Sequence, residues 1–130
     1  MALTRNTGQC LCGTVRFSFE GEPRFVAECV CESCRRAHGA SVVGWVGVKS
    51  DQFTVDAGAD ALSWYQSSAA SERGFCTLCG TRVGFRSSRW PGEIHMALAC
   101  IDTPHHLQAK MISFREELPE WTAILLPDEH

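Results

Sequence analysis

The 130-residue chain has the usual length of one domain and leaves no room for a second core of ordinary size, so a single domain over residues 1–130 is expected. Its charged fraction of 21% and hydrophobic fraction of 45% suit a globular protein and exclude disordered and fibrous classes. Fifteen acidic against twelve basic residues leave a formal net charge of -3, too little positive field to gather nucleic-acid phosphates. The first residues lack the apolar core of a signal peptide, and no later stretch approaches the roughly eighteen apolar residues of a membrane span. A cytoplasmic protein with neither nucleic acid nor membrane as partner is expected.

In chain order, Cys10-Leu11-Cys12-Gly13 comes first. On extended backbone these two thiols share one face and suit a single metal, whereas a disulfide between such near neighbours is strained. From Gly13 to Glu20, Val15, Phe17 and Phe19 alternate with Thr14, Arg16 and Ser18, the pattern of a half-buried strand. Arg24 to Cys29 reads as a second strand running into Cys29-Val30-Cys31-Glu32-Ser33-Cys34. Glu32 to His38 follows as one or two helical turns stopped by Gly39, with Cys34 on that helix. Ser41 to Val48 is rich in β-branched residues and glycine, and shorter runs of the same kind span 52–55, 62–66, 82–86, 94–100 and 109–114. Gly58, Gly80, Pro91-Gly92 and Pro104 punctuate them. The prediction is a mainly β, small zinc-containing multi-sheet domain with one short helix after the three-cysteine cluster. The tail from Leu126 to His130 reads as frayed.

Seven of the eight cysteines fall into clusters of two, three and two, the last being Cys76-Thr77-Leu78-Cys79-Gly80. In a reducing compartment clustered cysteines are metal ligands before they are disulfides. Structural zinc takes four thiolates, while catalytic zinc keeps three protein ligands and an open position. Cys76 and Cys79 form a knuckle whose natural complement is Cys10 and Cys12, and closing so long a loop makes metal binding part of folding. Four thiolates and one divalent ion leave a charge of minus two, which backbone N–H groups or Arg82 would offset. Cys29, Cys31 and Cys34 supply three corners of a second tetrahedron. His38, one turn beyond Cys34, is a fourth ligand, an acid or base, or a helix-end histidine beside the C-terminal dipole. Two zinc ions per chain are expected, one structural and one catalytic.

With these clusters in view, the chain resembles the glutathione-dependent formaldehyde-activating enzyme family. The matching stretches are Gly8-Gln9-Cys10-Leu11-Cys12-Gly13-Thr14-Val15, Cys29 through Ala40, and Arg73-Gly74-Phe75-Cys76-Thr77-Leu78-Cys79-Gly80-Thr81. Leu62-Ser63-Trp64-Tyr65-Gln66-Ser67-Ser68 and Glu120-Trp121 also look like the family. The resemblance implies a mainly β zinc fold, seen too in a guanine-nucleotide exchange factor homologue, and membership of the carbon–sulfur lyases. It implies that Cys10, Cys12, Cys76 and Cys79 hold the structural zinc and that Cys29, Cys31 and Cys34 hold the catalytic one. The implied partners are a small-molecule thiol such as glutathione and a small aldehyde such as formaldehyde, joined to S-hydroxymethylglutathione or released from it. Val30 stands where the family often has histidine, which removes a polar group beside the metal.

Ten of the twelve basic residues are arginine, the better bidentate partner for the carboxylates of glutathione. Arg35, Arg36 and Arg73 flank the clusters and are the candidate substrate contacts, against the plainer alternative of surface arginines. Trp45, Trp64, Trp90 and Trp121 read as core or rim packing, and Cys100 as a small buried residue at the end of a strand. His95, His105 and His106 have no metal-ligand spacing to the clusters. Two rival functions remain: a non-catalytic zinc-stapled β binding module, and a redox sensor working through Cys29 to Cys34.

Overall fold

The structure, a computed structural model, describes residues 4–127. Residues 128–130 of the expected frayed tail lie outside them. The described chain is mainly β with one α-helix, as expected. In order come β1 (Arg5–Gln9), β2 (Arg16–Glu20), β3 (Phe25–Cys29), α1 (Glu32–His38), β4 (Val43–Lys49), β5 (Phe53–Ala57) and β6 (Leu62–Gln66). Then follow β7 (Ser71–Cys76), β8 (Arg82–Ser87), β9 (Glu93–Ala97) and β10 (Met111–Ser113). Among the described residues no helix is long and apolar enough to cross a membrane.

The strands form two sheets. One has the order β1-β2-β5, the other β10-β3-β4-β9-β8-β7-β6. Every pairing is antiparallel except that of β10 with β3. Residues paired across neighbouring strands share a face, so the register of the large sheet sorts its side chains into two rows. Trp64, Gly74, Gly84, Met96, Val46 and Val26 form one row. That face packs on Phe17 and Phe19 of the small sheet and on Val15 just before β2, and makes the main core. The opposite row runs Tyr65, Arg73, Phe85, His95, Gly47 and Phe25. This second face carries a cleft.

Some elements depart from the sequence pattern. β1 and β7 have the sequences Arg-Asn-Thr-Gly-Gln and Ser-Glu-Arg-Gly-Phe-Cys, poor in β-formers, and they become strands because their neighbours pair with them. Ser18, assigned to the polar face of β2, is 4% exposed, flanked across this central strand by Thr7 and Thr54. The run 94–100 is cut short, with Leu98–Cys100 forming a 3₁₀ turn, so Cys100 sits past the strand. Leu126 is not frayed. It is 7% exposed and belongs to the main core, because the C-terminal segment folds back over the sheet. Of the tryptophans, Trp45 is buried, whereas Trp121 is 69% exposed.

Candidate functional site

The first cysteine group joins two turns. In one, the Cys10 N–H donates to the Val15 carbonyl at 3.1 Å and the Gly13 N–H to the Cys10 carbonyl at 3.0 Å. In the other, the Cys76 N–H donates to the Thr81 carbonyl at 3.0 Å and the Gly80 N–H to the Cys76 carbonyl at 2.8 Å. Gly13 and Gly80 hold φ of 79° and 81°, left-handed values that glycine adopts without a Cβ penalty. A bond of 3.1 Å from the Leu11 N–H to the Thr81 hydroxyl ties the turns together.

The four sulfurs of Cys10, Cys12, Cys76 and Cys79 consequently lie within 4.8 Å of one another. Cys10 Sγ is 3.7 Å from Cys12 Sγ, which is 3.9 Å from Cys76 Sγ. A tetrahedral ion with Zn–S bonds of about 2.3 Å separates its sulfurs by about 3.8 Å. The group therefore fits a thiolate-bound metal, and these distances are far beyond a disulfide bond of about 2.05 Å. All eight cysteines are free. Small polar groups surround the sulfurs: Cys10 Sγ accepts from the Val15 N–H at 3.3 Å, and Thr14 and Thr81 hydroxyls lie 3.2 Å from Cys12 and Cys79 Sγ. The Thr81 hydroxyl holds the Cys79 thiol down at about 5, and the Thr14 side chain lowers Cys12 likewise. Arg82 does not take the expected place here. Its Nε donates to the Ala37 carbonyl at 3.2 Å and its guanidinium lies 5.1 Å over the Phe75 ring.

The second group is local. Cys29 ends β3, Cys31 is the N-cap of α1, and Cys34 sits in the helix's first turn. The Cys31 sulfur caps the helix by accepting from the Cys34 N–H at 3.4 Å. The three sulfurs lie within 4.8 Å of one another, matching three corners of a tetrahedron. Hydrogen bonds from Cys29 and Cys31, followed by the charge of Arg73, hold the Cys34 thiol well below its ordinary range. Hydrogen bonds with Cys31 and with Cys34, together with burial, push the Cys29 thiol up.

His38 stands outside that group of three. Its ring packs edge-on against Trp45 at 5.3 Å, and its buried Nε2 has no hydrogen-bond partner among the described residues. Burial first, then the charges of Arg73 and Arg82, lower its pKa to about 4, so the ring is neutral near pH 7.

Beside the three cysteines the large sheet's second face opens into a cleft of about 540 Å³, within the range of small-molecule sites. Phe25, Trp45, Phe85 and Trp90 give it an aromatic lining. Of the candidate arginines, Arg73 lines this cleft, at 6% exposure. Arg35 instead braces the helix, donating to the Val30 carbonyl at 2.9 Å and the Glu117 carbonyl at 3.4 Å. Arg36 pairs with Glu32 at 3.0 Å on the surface, its side chain 79% exposed.

The cleft also holds residues that the sequence did not mark as site candidates: Arg89, Ser67, Ser68, Ser71 and His95. His95 Nε2 is 3.0 Å from Glu93, whose other oxygen pairs with Arg24 at 3.0 Å. Burial lowers the His95 pKa despite that carboxylate. His95 and Arg73 share a row only through the strand register, a signal absent from the linear sequence.

A family model described as glutathione-dependent formaldehyde-activating enzyme matches residues 5–117. A protein of Halomonas elongata, provisionally named a glutathione-dependent formaldehyde-activating enzyme, is 29% identical over 125 residues, which cover 90% of this chain and 79% of that one. A crystal structure of a Rhodobacter sphaeroides protein superposes with a TM-score of 0.60 at 24% identity, covering 76% of this chain and 90% of the other. That last likeness speaks for the fold alone.

Proposed function

Because the chain belongs to the glutathione-dependent formaldehyde-activating enzyme family, we propose that it is a zinc-dependent carbon–sulfur lyase acting on glutathione and formaldehyde. The observation that carries this reading is the group of three thiols opening on a cleft sized for a small molecule. A module merely stapled by metal has no use for a second cysteine group at the mouth of a cleft. In the reaction the thiol sulfur adds to the aldehyde carbon, a C–S bond forms, the C=O π bond breaks, and the thiol proton ends on the oxygen. The reverse releases both components.

Cys29, Cys31 and Cys34 would hold the catalytic zinc, and Cys10, Cys12, Cys76 and Cys79 the structural one. Held there, zinc would supply Lewis-acid chemistry toward a thiol or an aldehyde oxygen. The chain's own contribution is placement. Phe25, Phe85 and Trp90 exclude water from one wall. Arg89, with the hydroxyls of Ser67 and Ser68, offers donors to the carboxylates of glutathione. The positive charges of Arg73 and Arg89 favour the thiolate over the thiol in the same space. His38, the last residue of the helix that presents Cys34, anchors that helix through its contact with Trp45.

Magnetisation-transfer NMR on glutathione and formaldehyde at equilibrium tests the proposal. The protein should speed exchange between free glutathione and its hydroxymethyl adduct, and Cys31→Ser should remove that effect. A protein carrying two metals that leaves the exchange rate untouched would overturn the enzyme reading.

A further inference from the structure

Arg73 is 6% exposed, and a guanidinium remains charged wherever it is buried. A buried charge without a counter-charge is strongly unfavourable. None of the ion pairs among the described residues includes Arg73; their basic partners are Arg5, Arg24, Arg36, Arg86 and, when protonated, His95. What it does touch is sulfur and an aromatic face. Its Nη1 donates to Cys34 Sγ at 3.6 Å, and its guanidinium lies 5.0 Å from the centre of the Phe85 ring. Phe85 pairs directly with Arg73 across β7 and β8, so the sheet register fixes that contact.

We infer that Arg73 is the built-in counter-charge of the three-cysteine centre and a positioning residue for Cys34, not a clamp for a substrate carboxylate. The inference rests on the reading that this centre holds a divalent metal. Three thiolates and one such ion sum to minus one, and Arg73 brings the local charge to zero. The four-cysteine group sums to minus two and is met by Thr14, Thr81 and the Val15 N–H, with no guanidinium on its sulfurs. The consequence is selectivity for an incoming ligand. A neutralised centre accepts an anionic sulfur, whereas an uncompensated negative one repels it. The thiolate of a small thiol is thus the ligand class that the second centre is built to receive.

The test uses the metal-loaded protein and its R73Q and R73K variants, with circular dichroism to check folding. Zinc competition against a chromophoric chelator reads each site, and cobalt(II) substitution reads sulfur-to-metal charge transfer at the second one. R73Q should weaken the second site by about tenfold or more while leaving the first unchanged. R73K keeps the charge but loses the planar fork over Phe85, so it should bind the second metal more tightly than R73Q and more weakly than the wild type. An R73Q protein that binds both metals like the wild type, with only a raised KM for glutathione, would overturn the inference in favour of a carboxylate clamp. Should R73Q not fold, Cys34→Ser answers the same question, because it strands the guanidinium. Its melting point should lie about 4 °C or more below that of Cys31→Ser, and equal melting points count against the inference. A wild-type chain with a single metal overturns this inference and the proposed function together; two metals with R73Q unaffected overturns this inference alone.

Discussion

The two cysteine groups use the same side chain for opposite ends. In the first, partners 64 residues apart in sequence meet, as Cys12 and Cys76 do, and hydroxyls and N–H groups crowd the sulfurs. In the second, all three thiols come from Cys29 to Cys34, beside an open cleft and a buried arginine. Ligands drawn from distant segments turn metal binding into chain closure. Ligands drawn from one short segment leave the fold to other forces and leave one side of the centre free for chemistry.

The comparison breaks most readily at Cys76. Structural zinc binding contributes about 10–16 kcal/mol, as much as or more than the net 5–15 kcal/mol that holds a typical domain folded. Cys76→Ser should accordingly yield an unfolded chain by circular dichroism, and a cooperative melt from this variant would mean that the clip is dispensable. Cys31→Ser should instead remain folded and carry one metal fewer. Its serine oxygen still caps α1, so the stability loss in a denaturant titration should be confined to what the lost ion contributed to the folded state, while catalysed adduct exchange falls by about a thousandfold, roughly 4 kcal/mol. Loss of fold here would erase the distinction between the groups. Arg89→Ala should raise the KM for glutathione about tenfold, the worth of one charge-assisted contact, with both metals retained. An unchanged KM would move substrate recognition elsewhere in the cleft.

His38 gives the smallest effect and a signed one. Its folded pKa, about 4, lies below its ordinary value of 6.5, so between these values the unfolded chain binds more protons. The stability present above pH 6.5 is therefore lost as pH falls through this window. His38→Asn should make the drop between pH 7 and pH 5 shallower by about 1 kcal/mol, allowing for the part of the ring open to solvent. Parallel pH profiles for the two proteins would contradict it.

Much of this contrast is legible in the linear sequence, because cysteine spacing and the glycines after each knuckle are local signals. The sulfur distances within both groups fit a metal, and the helix over Glu32–His38 with its left-handed Gly39 follows from the same local rules. The cleft is another matter. Its wall depends on register, which sets Arg73 opposite Phe85 and Phe85 opposite His95, and no periodicity within β7 foretells that pairing. Arg35 and Arg36 illustrate the converse: they adjoin the cluster in sequence, yet the helix turns one to backbone carbonyls and the other to solvent. Sequence proximity located the candidate metal ligands, whereas only the folded sheet located the charge beside them.

Metal content before and after exposure to a competing chelator in the presence of glutathione tests the central claim most directly. One centre closed by distant ligands and one open centre predict two zinc ions per chain, of which one departs readily while the chain stays folded and the other leaves only with unfolding. Two ions lost together, or a single ion from the outset, would contradict the division between a centre that closes the fold and a centre that faces the cleft.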